Sequence, residues 1–224
     1  IDKMCGRFIL LTDLSVIIKS FDIQNVACEY RPGNNISPSQ QIAAVLRTDN
    51  QNSLVNFRWG LIPSWAKDPS IGNRMFNARA ETIAEKPSFK NAFHKRRCLI
   101  PADGFYEWQK IGRIKKPLRF SLKSGEPFGL AALYETWISP EQKPIHTCTI
   151  ITTEPNDFLR PIHDRMPVIV QKGQEAAWID PDNHNQKELL SILMPYPSDA
   201  MTMSPVDPSL LYKPKAQEPA AFNS

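Results

Sequence analysis

The sequence predicts an α+β fold in which a curved, mostly antiparallel β-sheet or partial barrel carries short helices on its outside. Two observations support this. Apolar and β-branched runs bounded by turn residues recur through the middle of the chain, which is the pattern of successive strands. Short segments with apolar residues at helical spacing lie on either side of that region. Strands gathered in one region, with helices around them, are typical of the α+β class.

The individual elements follow from the same patterns. Strands are predicted at residues 42–47, 55–59, 98–100, 105–109, 118–122, 128–134, 147–152 and 168–170. Helices are predicted at 12–19, with Thr12 as the cap, and at 175–178 and 187–194. We expect one domain over residues 4–212, a loose polar tail over 213–224, and an artificial extension, residues 1–3, ahead of a native Met4.

Composition narrows the class of protein. Of the 224 residues, 42% are hydrophobic and 22% charged, which is typical of a globular chain. The net charge of +4 permits nucleic-acid binding without requiring it. We expect no membrane span, because no apolar run approaches the length that one needs. We also expect no secretion signal, because the N-terminus has no basic segment followed by an apolar one. A cytoplasmic protein is predicted. The sequence has four cysteines, Cys5, Cys28, Cys98 and Cys148, and none of them stands in a CxxC pair. All four are expected to be reduced.

Known cofactor motifs are not found in the sequence. It contains no glycine-rich phosphate-binding loop and no spacing typical of metal ligands, so we predict neither a cofactor nor a metal. Polar residues within apolar, proline-marked contexts stand out instead, at 5–7, 77–82, 101–108 and 162–167. Each has a structural alternative. His163 could be a structural histidine, Glu107 a solvated carboxylate and Asn77 a turn cap. The arginines in these segments could form surface ion pairs.

Taken together, these segments resemble the SOS-response-associated peptidase family. The matching blocks are residues 4–8, 35–38, 58–65, 77–82, 101–108 and 162–167, in the order in which the family has them. The match becomes looser after residue 167. In the segment 204–207, Asp207 stands where an asparagine is more usual, and we assign it no role.

The resemblance implies a DNA-damage protein with lyase-like covalent chemistry and a possible autopeptidase activity. Family members bind single-stranded DNA and trap the ring-opened aldehyde of an abasic site as a thiazolidine. The matching cysteine here is Cys5, which would have to become the first residue of the chain. An N-terminal cysteine suits the reaction because its amine attacks the aldehyde and its tethered thiol then closes the ring. We therefore expect abasic single-stranded DNA as the partner, at damage sites on a bacterial nucleoid.

The same resemblance implies roles for three more catalytic residues. Asn77 resembles the amide that orients the reacting cysteine or sugar. Glu107 resembles the acid that assists proton transfer, and His163 resembles the histidine that handles protons at the sugar oxygen. Imidazole suits that task because it exchanges protons near neutral pH.

Five residues are expected to bind DNA by the same resemblance. Arg7, Arg79 and Arg165 would contact phosphates, whose oxygen pairs match the guanidinium fork. Trp65 would stack on a base. Thr152 would form a hydrogen bond in the same pocket.

Some sequence features keep two interpretations. For Trp59 a core position is favoured. The basic segments 94–97 and 110–116 could extend the DNA path, and for the second a solvated loop is slightly favoured.

Two functional alternatives also stay open: a thiol peptidase acting in trans through Cys5 and His163, and a DNA-binding module without chemistry. In the sequence as written Cys5 carries an amide nitrogen, so the uncut chain is expected to bind DNA without crosslinking to it. No particular replication or repair protein is predicted as a partner.

Overall fold

The computed structural model describes residues 6–211, in which thirteen strands and four short α-helices occur. In chain order they are β1 (Phe8–Leu10), α1 (Leu14–Ser20), β2 (Asn25–Val26), β3 (Gly33–Ile36), β4 (Gln41–Thr48), β5 (Gln51–Trp59), β6 (Asn77–Arg79), α2 (Lys90–Lys95), β7 (Arg97–Ala102), β8 (Gly104–Ile111), β9 (Ile114–Leu122), β10 (Phe128–Ile138), β11 (Pro144–Thr153), β12 (Met166–Pro167), α3 (Glu175–Ile179), α4 (Gln186–Ile192) and β13 (Met201–Pro205). Short 3-10 segments lie at Pro69–Arg74, Ala80–Thr82, Ser198–Ala200 and Pro208–Leu210.

Five strands close into a barrel. The strands β11, β10, β7, β4 and β5 follow one another in antiparallel pairs, and a parallel pairing of β5 with β11 closes the ring. At the closure the amide of Gly60 donates to the carbonyl of Cys148 at 2.8 Å. Gly60 has φ +134°, and a side chain there would collide with the carbonyl of Gly72. Glycine is therefore required where the barrel closes.

A second sheet packs on this barrel. Its strand order is β13-β9-β8-β1-β3, and all of its pairings are antiparallel. Phe8 of this sheet meets Trp59 of the barrel edge to face, with 5.4 Å between ring centroids. Within the second sheet, Phe105 stacks on Phe120 at the same centroid distance of 5.4 Å. Because all four belong to one buried apolar cluster, the two sheets share a core and are fixed relative to each other.

The predicted α+β fold with a partial barrel and outer helices is confirmed. The strand predicted at 168–170 is wrong, because only Ile169 forms an isolated bridge there, with Leu130. The helix predicted from Thr12 begins at Leu14 with Asp13 as its N-cap, because the Thr12 side chain donates to Asp103 instead. The short strands β1, β3 and β13 are not found by sequence patterns, since each has five residues or fewer.

The cysteines of the described residues differ in their surroundings. Cys98 and Cys148 are fully buried, and burial raises the pKa of both thiols well above the ordinary value. Such thiols are unreactive because the thiolate is the nucleophile. Cys28 is partly exposed. No helix within residues 6–211 is long and apolar enough to cross a membrane.

Candidate functional site

A buried carboxylate and an imidazole meet where the second sheet faces the loop before β12. Glu107 lies on β8 and is only 2% exposed, so it is not the solvated carboxylate that the sequence left open. Its Oε2 lies 3.9 Å from Nε2 of His163, whose side chain is 12% exposed. Residues 56 positions apart in the chain are thus brought together in an environment with little water.

The orientation of His163 is fixed from its other side. The amide of Arg165 donates to Nδ1 at 3.1 Å, and the exposed carboxylate of Asp164 lies 3.2 Å from the same nitrogen. Nδ1 therefore faces the main chain of its own loop while Nε2 faces Glu107. A ring held in this way can exchange a proton at Nε2 without turning.

The N-terminal strand approaches the same carboxylate. In the antiparallel pairing of β1 with β8, Phe8 lies opposite Phe105, and the amide of Tyr106 donates to the carbonyl of Arg7 at 3.0 Å. Continuing this register by two residues sets Gly6 opposite Glu107. Cys5, the next residue towards the N-terminus, lies outside the described residues.

Asp103 anchors this strand. Its carboxylate accepts the amide of Thr12 at 2.9 Å and the Thr12 hydroxyl at 2.6 Å, and it also accepts the amide of Leu11. The end of β1 is therefore tied to the turn before β8, which keeps the register that faces Gly6 towards Glu107. Sequence reasoning assigned no role to Asp103, although it lies in the block 101–108 that carries the family resemblance.

Asn77 begins strand β6, so it is not a turn cap. Parallel pairing sets it beside Ile150 of β11. The carbonyl of the preceding Phe76 accepts two donors, the indole of Trp59 at 2.8 Å and the amide of Ile150 at 3.0 Å. Trp59 is 1% exposed, which confirms its predicted core position. Two hydrogen bonds on one carbonyl fix the main chain immediately before Asn77.

Arg165 and Thr152 form a second cluster at the end of β11. Arg165 donates to both carboxylate oxygens of Glu81, at 2.6 and 2.9 Å, and to the carbonyl of Thr152 at 2.7 Å. Thr152 is fully buried, and its hydroxyl donates to the carbonyl of Ala78. Hydrogen bonding from Arg165 is the main cause that lowers the pKa of Glu81. Sequence reasoning missed Glu81, although it stands in the block 77–82.

The other predicted DNA-binding residues have different surroundings. Arg79 lies opposite Thr152 in the pairing of β6 with β11, and it is exposed. Arg7 donates to Asn35 at 2.6 Å and to the carbonyl of Leu211 at 2.8 Å, so its guanidinium already ties three parts of the chain together. Asn35, also missed, lies in the block 35–38.

Trp65 presents its ring to solvent. It is 60% exposed, in the loop that follows β5. The next residue is held in place, because the indole of Trp137 donates to the carbonyl of Ala66 at 2.7 Å. A fixed main chain with an exposed aromatic ring is the arrangement that base stacking needs.

The basic segment 94–97 does not behave as one surface. Arg97 is 3% exposed and donates to main-chain carbonyls of Phe93, His94, Trp178, Asp180 and Asn183. The suggestion that this segment extends the DNA path is therefore wrong for Arg97. Arg96 pairs with Glu135 at 2.7 Å.

Within residues 6–211, no group of three or more His, Cys, Asp or Glu side chains could hold a metal ion.

The fold is that of a known class of structures. A protein from Bacteroides thetaiotaomicron has a TM-score of 0.83 to this chain at 25% identity, covering 94% of this chain and all of its own. A protein from Bordetella bronchiseptica has a TM-score of 0.79 at 25% identity, covering 91% of this chain and all of its own. Both solved structures therefore share the barrel and the second sheet along nearly the whole chain.

The family follows from the sequence match. The model of the SOS response associated peptidase (SRAP) family matches residues 4–211, and the chain belongs to that family. It is 46% identical over 224 residues to the abasic site processing protein YoqW of Bacillus subtilis, covering 99% of this chain and 100% of YoqW. It is 31% identical over 220 residues to the abasic site processing protein HMCES of Rattus norvegicus, covering 80% of this chain and 62% of HMCES. The family resemblance of the sequence motifs is thereby confirmed.

Proposed function

We propose that this protein processes abasic sites in DNA as part of the DNA-damage response, by bonding to them covalently through Cys5. The observation that carries the proposal is the buried pair of Glu107 and His163, 3.9 Å apart, beside the strand that leads to Cys5. Relatives of similar length are named for abasic site processing, which agrees with it.

The chemistry needs a free amine on Cys5. The ring-opened sugar of an abasic site carries an aldehyde, and a neutral α-amine adds to its carbonyl carbon. Loss of one water gives an imine. The thiol of the same residue then adds to the imine carbon, forming the C–S bond, while its proton passes to the nitrogen. The product is a five-membered thiazolidine, and closure is favoured because both nucleophiles belong to one residue.

Glu107 and His163 serve the proton transfers of this sequence. Sugar ring opening moves a proton from a hydroxyl to the ring oxygen, and loss of water from the carbinolamine needs a proton on the departing oxygen. A paired carboxylate and imidazole can remove the first proton and deliver the second. Burial of Glu107 strengthens its electrostatic interaction with His163, since little solvent screens the pair. Asn77, on a fixed main chain, would orient the cysteine or the sugar.

The DNA is proposed to be single-stranded around the lesion. The exposed Trp65 would stack on a neighbouring base, and the exposed Arg79 would contact a phosphate. Arg7 and Arg165 already hold protein groups, and we propose that both also lie against the phosphates that flank the lesion. Thr152, buried beneath Arg165, would act by supporting that arginine.

Residues before Cys5 have to be removed for this reaction, because an amide nitrogen does not form an imine. We propose that the protein can cleave the Met4–Cys5 bond itself. The Cys5 thiol adds to the Met4 carbonyl carbon, the Cys5 nitrogen takes up a proton carried by His163 and leaves as an amine, and water then hydrolyses the resulting thioester to release the residues before Cys5. That self-cleavage would be the peptidase activity. Peptidase action on other proteins has no separate observation in its favour.

The test uses a chain that begins at Cys5, mixed with single-stranded DNA that carries one abasic site and separated on a denaturing gel. We expect a shifted band that contains protein and DNA. Two controls accompany it: the Cys5→Ala chain, and the trimmed chain with its Cys5 α-amine acetylated, which keeps His163 and every other side chain. Neither control should give the band. If DNA binds but no band forms with the trimmed chain, the proposed chemistry is wrong.

The same gel tests the Glu107–His163 pair. In the trimmed chain, Glu107→Gln keeps the size of the side chain but removes its ability to take up a proton. Loss of one general acid–base group lowers rates by about 100-fold or more, and we expect a loss of that order in the rate of crosslinking. DNA affinity should change little. Glu85→Gln, an exposed carboxylate on the same protein, is the matched control. An unchanged rate for Glu107→Gln would remove Glu107 from the mechanism.

A further inference from the structure

The β-hairpin that carries Glu107 extends past the site into solvent. Strands β8 and β9 pair from Phe105 with Phe120 to Ile111 with Ile114, and a two-residue loop joins them. Gly112 begins that loop with φ +62°, the position that such hairpin loops reserve for glycine. We call residues 109–116 the hairpin tip; all of them except Gln109 are exposed.

The pairing register decides which side chains of the tip share a face with Glu107. Side chains alternate along a strand, so every second pair lies on the same face. Starting from Glu107 with Leu118, the next pairs on that face are Gln109 with Lys116 and then Ile111 with Ile114. A continuous row therefore runs from the buried carboxylate to two isoleucines that are 49% and 62% exposed.

The charge of the tip has one sign. The segment from Trp108 to Gly125 contains no acidic residue. Lys110, Arg113 and Lys116 are exposed, and none of them forms an ion pair within the described part of the chain. Exposed cations without protein partners attract polyanions, and neighbouring exposed isoleucines can pack against the faces of bases.

The tip lies at a distance that a bound DNA strand would reach. Ile111 lies four positions beyond Glu107 on the strand, and at roughly 3.4 Å per residue these four steps span about 14 Å. A stacked nucleic-acid strand advances roughly 3.4 Å per nucleotide, so about four nucleotides cover the same distance.

We propose that the hairpin tip is a second DNA-contacting surface, which binds the strand flanking the abasic site about four nucleotides away. Its cations contact phosphates, and Ile111 and Ile114 contact bases. The inference rests on the proposed function, because it takes the abasic site to be held at Glu107. It adds to that function a contact that sets how much flanking DNA the protein needs.

The test measures non-covalent binding by the Cys5→Ala chain to four abasic oligonucleotides, whose arms on the two sides are two or eight nucleotides long. We expect a long arm on one side to raise affinity. The variant Lys110→Gln, Arg113→Gln, Lys116→Gln should lose about tenfold in affinity for that DNA and nothing for the DNA with two short arms. Three lost phosphate contacts, at about 0.7 each, should lower the salt dependence of binding by about 2 in the logarithmic slope.

Two further variants test the isoleucine contacts and the general effect of positive charge separately. Ile111→Thr with Ile114→Thr keeps every charge, and it should lose severalfold in affinity for the long-armed DNA alone. Lys19→Gln with Lys187→Gln removes two exposed cations from helices α1 and α4, and it should leave the arm-length effect intact. Thermal unfolding checks that all variants stay folded.

The outcomes decide the two proposals separately. One contrary result is that the tip variants bind all four DNAs as tightly as the parent chain does, and the other is that they lose the same factor in affinity for all four. Either result would mean that the tip does not contact flanking DNA and serves another partner or none. Crosslinking by the trimmed chain to the short-armed DNA is scored independently. Failure to crosslink would overturn the proposed chemistry, while the arm-length result would still decide the role of the tip.

Discussion

Residues 94–97 and the hairpin tip are both rich in positive charge, yet they lie in opposite environments. In the first segment Arg97 is 3% exposed, and all of its hydrogen bonds go to main-chain carbonyls of α2 and of the region around α3. In the tip, Arg113 is exposed and forms no ion pair within the described residues. Both arginines have basic neighbours in sequence, and only one is available to an outside ligand.

The difference lies in where the acceptors come from. The carbonyls around Arg97 belong to the ends of short helices, where main-chain oxygens lack helical partners. The guanidinium satisfies several of them at once, and burial is tolerated for that reason, although it lowers the pKa of Arg97. The two-stranded tip has no such acceptors, because its main chain is already paired across the hairpin. Arg113 there is exposed and forms no ion pair within the described residues, so its charge is available to an external acceptor.

The largest effect is expected where the buried charge is removed. Arg97→Met keeps an unbranched side chain of similar length but leaves five carbonyls without their donor. Removing one partner of a buried charged network typically costs about 3–5 kcal/mol. In a protein of this size that corresponds to a melting temperature lower by about 10 °C, measured by calorimetry.

Arg113→Met is the matched control for that substitution. An exposed change of this kind is usually within about 0.5 kcal/mol, so the melting temperature should stay nearly constant. Equal destabilisation by the two substitutions would contradict the contrast between the segments, and so would a stable Arg97→Met protein.

The sequence predicts the fold more completely than it predicts the candidate site. The long strands β4, β5, β8, β10 and β11 follow from apolar periodicity, because their residues face a core. Strand β1 has only three residues, which is too short for an apolar periodicity to be recognised. It is stabilised by its pairing with β8 and by the hydrogen bonds that Asp103 accepts just after it. Closure of the barrel depends on a parallel pairing between distant strands, which local sequence does not encode.

The candidate site was predictable only as a set of residues. Motif matching selects Glu107 and His163 together, but nothing in either segment states that the two side chains approach to 3.9 Å. Arg97 is a second example. Its neighbours in sequence are basic and suggest a charged surface, but in the fold its side chain is buried. Contacts across many residues decide these environments, and periodicity reports only the local ones.

Arg165 is intermediate between Arg97 and Arg113, and it gives a smaller test of the same contrast. Its side chain is 11% exposed, while that of its partner Glu81 is 48% exposed. Solvent screens such a pair, so its contribution to stability should stay below about 1 kcal/mol. That contribution depends on pH through Glu81, whose pKa in the folded protein lies below its ordinary value of 4.5 because Arg165 hydrogen-bonds to the carboxylate.

The direction of the pH effect follows from that lowered pKa. Stabilisation by Glu81 is fully present above the unfolded-state value near 4.5 and is lost as pH falls through the lower folded-state value. The melting temperature of the parent chain should therefore exceed that of Glu81→Gln at pH 6, and the gap should close towards pH 3. Glu85→Gln controls for the loss of a nearby carboxylate. A gap that stays constant down to pH 3 would mean that the Glu81–Arg165 pair contributes geometry without net electrostatic stabilisation, and Arg165 would then behave like Arg97 in using mainly its main-chain acceptor.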